Sequence, residues 1–238
     1  MKQTQHRQTP CGNAVSTGPR LFLSLLVVDT RREEGRRLLG NPYRVHQQLL
    51  NAFSDGAFSR PLEPLGTRLL FRVEEWWTPP RVLVQSPLEA DWHRAFVETP
   101  VLAKAPCQKP YAPALEPGQV LRFFLRANPT VRRASLRSEG KRLGPRLGLV
   151  HEPQQRDWLE RRAAAGGFDL LDYRVMPRGK RVGWQGQRDR SPQLTHLCVD
   201  FEGFLQVTDP DQFLRTLAAG IGPAKAFGFG LLSVAPAR

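Results

Sequence analysis

Cysteine is scarce and metal-binding motifs are missing from this 238-residue sequence. Its three cysteines are odd in number, far apart and without a CxxC pair: Cys11, Cys107 and Cys198. This spacing supports neither a disulfide framework nor a zinc site. The sequence also has no HExxH motif, no close carboxylate cluster and no His/Cys set at ligand spacing. We therefore expect neither a metal nor another cofactor.

Long hydrophobic runs are missing too. The most apolar stretch, 21–28, is too short to cross a bilayer. Charged Asp29, Arg31 and Arg32 follow it at once with no small-residue cleavage site, which is not typical of a signal peptide. Hydrophobic residues make up 40% of the chain, enough for an ordinary buried core. We expect a globular cytoplasmic protein with no membrane partner.

Positive charge is abundant and concentrated. The formal net charge is +13 at pH 7, and the pI is near 10.7. Residues 120–190 hold 17 basic and 7 acidic side chains, so they carry ten of the thirteen excess charges. Most of the basic residues are arginines, whose planar fork can bond two phosphate oxygens and stack on bases. This pattern favours a polyanionic partner such as nucleic acid.

The first part of the chain is predicted to be a ferredoxin-like unit. Residues 1–20 are polar and without periodicity, which predicts a disordered extension. Asn41 followed by Pro42 is the signal of a capped helix. The predicted elements are a strand at 21–29, this helix, strands at 69–74 and 82–85, a proline-rich segment at 91–117 and a strand at 120–126. Their order, β-α-β-β-x-β, is that of a ferredoxin-like half.

The second part is predicted to repeat this architecture. Residues 129–149 are basic and poor in apolar side chains, and we interpret them as a linker. The predicted elements that follow are a helix at 154–165, a strand at 168–175, a hairpin tip and return at 178–184, strands at 194–200 and 203–207, and a helix beginning at Pro210. The prediction is an α+β chain of two tandem ferredoxin-like (RRM-like) halves with antiparallel sheets, at 21–128 and 150–238.

A glycine-rich stretch, 220–230, follows the last helix. Glycines here would let the backbone approach a ligand closely and turn N–H groups toward an anion, with the Lys225 ammonium beside them. Gly222, Lys225 and Gly228 are therefore candidates for binding a phosphate. The spacing matches neither GxGxxG nor GxxxxGK[ST]. The alternative is a glycine helix cap and turn before a last strand.

Tyr43 and His46 are the candidates for acid–base chemistry. They lie three residues apart on the helix that Asn41 caps, so both project from one face. Histidine has an unperturbed pKa near neutral pH, which suits it to moving a proton. A single histidine on an amphipathic helix is more often an ordinary polar residue, so the residues alone leave both alternatives open. The other histidines stand singly and are interpreted as structural or solvated: His6, His93, His151 and His196.

Several motifs together resemble the repeat-associated RNA-processing (RAMP) superfamily, and within it the CasE family of type I-E CRISPR endoribonuclease subunits. They are N-P-Y-x-x-H-x-x-L at 41–49, P-G-Q-x-L-R-F-x-L-R-A-N-P at 117–129 and G-x-G-x-x-K-A-x-G-x-G-L-L at 220–232. The resemblance covers 21–236. It implies that Tyr43 and His46 are the catalytic pair at the cleaved phosphate. Gln47 departs from relatives that carry a basic residue there, which leaves less positive charge beside that phosphate.

The reaction that the resemblance implies is a metal-free cleavage of CRISPR precursor RNA at its repeat hairpin. Attack by a 2'-OH would leave a 2',3'-cyclic phosphate and a 5'-OH, and the protein would then stay in the Cascade complex with its other subunits. Candidates for binding this RNA are the basic residues of the predicted linker, 129–149, and of the predicted β-hairpin tip, 178–184. They are Arg132, Arg133, Lys141, Arg142, Arg178, Lys180 and Arg181. The alternatives are a RAMP scaffold that binds a hairpin without cutting it, and a general basic nucleic-acid-binding protein.

Overall fold

The computed structural model describes residues 21–54, 56–58, 67–98, 100–132, 146–185 and 193–237. The first half consists of β1 (Leu21–Val27), α1 (Glu33–Leu39), α2 (Pro42–Leu50), β2 (Leu70–Glu74), β3 (Arg81–Ser86), α3 (Trp92–Phe96) and β4 (Cys107–Tyr111). The second consists of β5 (Val120–Ala127), β6 (Thr130–Arg132), β7 (Arg146–Gly148), α4 (Glu152–Ala164), β8 (Phe168–Trp184), β9 (Gln193–Val207), α5 (Pro210–Ala219), a 3-10 turn (Lys225–Phe227) and β10 (Leu232–Pro236). The predicted extension at 1–20 lies outside the described residues.

Each half contains one four-stranded antiparallel sheet. The order is β2-β3-β1-β4 in the first sheet and β10-β5-β9-β8 in the second. Helices connect the first strand of each sheet to the second, and the third to the fourth, as a ferredoxin-like unit requires. Each sheet packs against its own cluster of buried apolar side chains. The first cluster contains Phe71 and the second contains Phe201. The predicted α+β architecture of two tandem ferredoxin-like halves is confirmed.

The predicted position of β5 is wrong. This strand was expected to close the first sheet, but it pairs with β9 and β10 in the second. The first sheet is closed by β4, within the proline-rich segment where no strand was predicted. β4 is a mostly exposed edge strand that contains Pro110, so it lacks the apolar alternation that marks a strand. The two sheets therefore divide between Tyr111 and Val120. The described ends of the predicted linker, 129–149, form β6 and β7, which pair with each other after the second half has begun.

The predicted hairpin tip at 178–184 is also wrong. Those residues continue β8, which pairs with β9 as far as Trp184 opposite Gln193. β9 is likewise one strand, although two strands around a turn, at 194–200 and 203–207, were predicted. A Cβ on Gly203 would lie 2.1 Å from the Asp172 carbonyl oxygen, where β8 shifts register. This glycine therefore admits a close backbone approach at a bulge, and the pairing continues through it.

The two helices that flank the candidate site begin as the sequence predicts. Asn41 Oδ1 accepts from the Tyr43 amide at 3.1 Å at the start of α2, which buries Val45 and Leu49. Asp209 caps α5 in the same way through the Gln212 amide, at 3.0 Å. Among the helices of the described ranges, none is long and apolar enough to cross a membrane; α4, with 13 residues, is the longest.

Hydrogen bonds join the two halves. Gln85 Nε2 on β3 donates to the Leu217 carbonyl of α5 at 2.7 Å, and both residues are buried. From the second half, the Arg126 guanidinium donates to the Val73 carbonyl of β2 at 2.9 Å. Buried polar groups of this kind are costly when unpaired, so these contacts fix how one half sits on the other.

Candidate active site

Tyr43 and His46 lie on the face of α2 that meets the second half. Their ring centroids are 6.1 Å apart, and the rings are tilted by 48°. The Tyr43 ring packs on Phe227 of the glycine-rich stretch, with centroids 5.6 Å apart. The His46 ring stacks on Phe71 of β2, at 6.2 Å and 12°. The predicted phenol–imidazole pair thus rests on one aromatic ring from each half.

Burial determines the charge of His46. Its Nδ1 is buried and has no hydrogen-bond partner among the described residues. Because the imidazolium would lose its hydration, burial lowers the pKa of His46 to about 4. The imidazole is therefore neutral at neutral pH, which leaves it able to accept a proton.

The glycine-rich stretch, 220–230, folds into a compact loop that carries Lys225. Gly222 and Gly228 have positive φ angles of 84° and 80°, a region that favours glycine. A Cβ at Gly222 would lie 2.9 Å from the Trp158 ring, and one at Gly228 3.1 Å from Phe71. The loop thus fits closely between α4 and β2.

The loop's polar groups differ from the prediction. The Gly228 N–H donates to the Lys225 carbonyl at 3.1 Å, so it closes a turn and does not point toward an anion. The Gly222 carbonyl accepts from Lys225 Nζ at 2.8 Å, which fixes the position of the ammonium. Gly228 therefore shapes the loop and its N–H is already bonded, whereas Lys225 lies where its ammonium can contact a ligand.

Lys225 lies in a cleft of about 700 Å³ whose charged lining residues are all basic. Burial and the neighbouring arginines lower the pKa of Lys225 to about 8. Phe227 lines the same cleft and packs on the Tyr43 ring, so this one phenylalanine connects the cleft to the tyrosine–histidine pair. The five cations of its lining are Arg68, Arg132, Arg146, Arg162 and Lys225. Cations that repel one another in a concave site are arranged to receive an anion such as phosphate.

Three of these cations were missed by the sequence analysis. Arg68 precedes β2, Arg146 begins β7 and Arg162 lies in the last turn of α4. Their only shared signal in the sequence is the general excess of arginine. Arg146 and Arg162 come together within the second half, and the packing of the two halves adds Arg68 from the first.

The predicted RNA-binding residues are divided among several environments. Arg132 lines the cleft, and Lys180 is exposed on β8. Arg178 pairs with Asp200 at 3.0 Å, and Arg181 pairs with Glu75 of the first half at 2.5 Å. Both arginines therefore help to hold the structure together. The remaining candidates lie outside the described residues: Arg133, Lys141 and Arg142.

His196 was interpreted as structural, and its surroundings agree with that interpretation. Its ring lies 4.5 Å from Phe227, and its Nδ1 is 3.2 Å from Asn128 Nδ2. It therefore packs behind the ring that supports Tyr43. Elsewhere among the residues that the structure describes, no three His, Cys, Asp or Glu side chains converge as they would at a metal site.

Two ferredoxin-like halves that place a basic cleft beside a tyrosine–histidine pair define a tandem ferredoxin-like protein suited to binding a polyanion. The chain belongs to the family described as CRISPR associated protein, whose model matches residues 21–236.

Its relatives are similar over nearly their whole length. The CRISPR-associated endoribonuclease Cse3 of Thermus thermophilus is 39% identical over 232 residues, which cover 91% of this chain and all of that protein. The CRISPR system Cascade subunit CasE of Escherichia coli is 34% identical over 201 residues, which cover 82% of this chain and 92% of that protein. The structure of Thermus thermophilus Cse3 bound to an RNA representing a pre-cleavage complex has a TM-score of 0.72 at 39% identity, covering 91% of this chain and all of that one.

Proposed function

We propose that this protein is an endoribonuclease that cleaves CRISPR precursor RNA at the repeat hairpin, keeps the product and serves as a subunit of Cascade. The observation that carries the proposal is the position of Tyr43 and His46, paired on one helix face beside a cleft of five cations. Two relatives of matching length bear the names of an endoribonuclease and of a Cascade subunit. The protein works in the cytoplasm, where precursor RNA is available to it.

The reaction is an internal transfer at phosphorus. The 2'-oxygen attacks the adjacent phosphorus, and the bond from phosphorus to the 5'-oxygen breaks. The proton of the 2'-OH passes to a base, and an acid supplies a proton to the departing 5'-oxygen. The products are a 2',3'-cyclic phosphate and a 5'-OH, and no water is consumed.

His46 and Tyr43 divide the proton transfers. His46 is the base, because its low pKa keeps the imidazole neutral and able to accept the 2'-OH proton. The phosphate that binds beside it favours the imidazolium as it forms, since a nearby anion raises the pKa of a histidine. The Tyr43 phenol then lies within the same site to protonate the leaving oxygen.

The basic cleft holds the RNA backbone next to this pair. Lys225 is held by the Gly222 carbonyl and stabilises the charge that develops on the phosphate, with Gly222 and Gly228 shaping its loop. One guanidinium can bond two oxygens of a phosphate. The four arginines of the cleft therefore fix the register of the RNA. Lys180 and the remaining candidates, Arg133, Lys141 and Arg142, also bind the RNA hairpin.

The experiment is a cleavage assay in excess EDTA with the host's CRISPR repeat RNA. Wild type is compared with His46→Ala and with His93→Ala, a control on the exposed face of α3. We expect wild type and His93→Ala to cut the all-ribose RNA, and His46→Ala to lose at least about 100-fold in rate. RNA with a 2'-deoxy nucleotide at the cut should stay intact. A wild type that binds the hairpin tightly but never cuts it would make the protein a RAMP scaffold.

A further inference from the structure

Asn41 does more than begin the catalytic helix. Its Oδ1 accepts from the Tyr43 amide at 3.1 Å and also from the Trp184 amide at 3.3 Å. Its Nδ2 donates to the Trp184 carbonyl at 3.1 Å. One side-chain amide thus pairs with both backbone groups of Trp184, the last residue of β8, while it caps α2. Asn41 Oδ1 therefore accepts hydrogen bonds from two backbone amides, that of Trp184 at the end of β8 and that of Tyr43 in α2.

The surroundings of this contact leave little room for movement. Asn41 is 9% exposed, so its hydrogen bonds are shielded from water. A Cβ on Gly183 would lie 2.8 Å from the Phe227 ring and 3.2 Å from Asn41 Oδ1, so the hairpin approaches this closely because residue 183 has no side chain. Phe227 in turn packs on the Tyr43 ring. The hairpin end, the glycine-rich loop and the first turn of α2 therefore meet at one point.

A cap alone does not explain the choice of residue. Serine, threonine and aspartate cap helices about as well as asparagine, because each accepts a bond from the first turn. Only an amide of this length can both accept from the Trp184 N–H and donate to its carbonyl. The hydrogen bond that Asn41 Nδ2 donates to the Trp184 carbonyl is not needed for capping α2. It connects the first half to the second.

We infer that Asn41 is a positioning residue: it holds the first turn of α2 against the end of the β8–β9 hairpin and so sets Tyr43 and His46 in place for cleavage. The inference rests on the proposed function, since it concerns that reaction. β8, which ends at Trp184, also carries Lys180, an exposed candidate for binding RNA, so the contact joins that strand directly to the helix of the proposed catalytic pair.

Two substitutions separate capping from positioning. Asn41→Asp keeps an acceptor for the Tyr43 amide but turns a carboxylate oxygen toward the Trp184 carbonyl, which repels it. Asn41→Ser keeps a cap but is too short to reach Trp184. From the other side, Gly183→Ala leaves Asn41 intact, but its Cβ would meet the Phe227 ring at 2.8 Å and Asn41 Oδ1 at 3.2 Å, so it moves the end of β8 away from both.

The test measures the single-turnover cleavage rate at saturating repeat RNA, with the dissociation constant determined separately on RNA carrying the 2'-deoxy nucleotide. We expect the variants to stay folded at a lower melting temperature, because Trp184 loses its hydrogen bonds to Asn41, and to bind with unchanged affinity. Their rate should fall about 10- to 100-fold, because small displacements of catalytic groups are costly. The double variant Asn41→Ser, Gly183→Ala should be no slower than the worse single variant, because both break one contact.

Two results would overturn the inference. One is a folded Asn41→Ser protein that cleaves at the wild-type rate. The other is weaker binding with an unchanged rate at saturation, which would make the contact part of RNA binding. If Asn41→Asp does not fold, Asn41→Ser and Gly183→Ala decide. Wild type and His46→Ala are measured alongside: if they do not differ, the proposed function fails, and if they differ as expected, only the role of Asn41 is in question.

Discussion

The Arg126 guanidinium donates to both carboxylate oxygens of Asp200, at 2.7 and 2.9 Å, and neither side chain is more than 6% exposed. The same guanidinium donates to the Val73 carbonyl of the other half. Arg178 approaches Asp200 from β8 at 3.0 Å. One buried carboxylate therefore balances two arginines at the junction of the halves.

Replacing Asp200 should destabilise the protein strongly. In Asp200→Asn, Arg126 stays buried without its counter-charge, which costs about 3–5 kcal/mol. The matched control is Glu152→Gln, which breaks the exposed pair with Arg156 on α4 and should cost no more than about 0.5 kcal/mol. Urea unfolding of both variants against wild type measures the free energies. A loss for Asp200→Asn as small as that of the control would mean that the junction is open to water.

Local signals in the sequence were sufficient to predict α2. Asn41 and Pro42 mark its start, and their spacing to Tyr43 and His46 fixes which side chains share a face. The pairing partners of β5 were not predictable in this way, because its alternation tells which face is buried but not which strand lies beside it. Sheet order is decided by contacts between residues far apart in the chain.

The same distinction explains what was missed in the site. Arg68, Arg146 and Arg162 come from three separate elements, and each looks like an ordinary surface arginine in the sequence. Arg178 and Arg181 belong to a conspicuous basic run, yet both form ion pairs with acidic partners from elsewhere. Charge density favoured a polyanionic partner, but which cations line the cleft depends on the fold, which brings four of them together within the second half and adds Arg68 from the first.

The affinity for RNA should depend on pH through Lys225. Its pKa of about 8 means that the free protein loses this cation as pH rises from 7 to 9, whereas arginines stay charged. Binding of RNA whose cut site is 2'-deoxy should therefore weaken across this range in wild type. Lys225→Arg keeps its charge and should bind with little dependence on pH.

The control for Lys225 is the neutral variant. Lys225→Gln should bind more weakly than wild type at pH 7 and should lose most of the dependence on pH, because no group of the cleft then titrates in this range. Fluorescence anisotropy at constant ionic strength provides the dissociation constants. Equal pH dependence in wild type and Lys225→Gln would show that Lys225 does not contact the RNA backbone.

The stability of the protein should fall in mild acid because of His46. Its pKa is about 4 in the folded protein and 6.5 when unfolded, so between these values the unfolded chain binds more protons. Stability is therefore constant above about pH 6.5 and decreases as pH falls toward 4. Between pH 7.5 and pH 5 the contribution of this histidine amounts to about 2 kcal/mol.

His46→Gln isolates this effect. His196 is also partly buried, and its pKa is lowered as well, but its contribution is common to wild type and variant and cancels in their difference. Urea unfolding at the two pH values should show that wild type loses about 2 kcal/mol more than His46→Gln, while exposed His93→Gln behaves as wild type. If the free energy of unfolding falls equally in wild type and His46→Gln between the two pH values, burial does not hold the imidazole neutral. The imidazole would then be partly protonated near neutral pH, and burial would no longer be the reason for assigning His46 as the base.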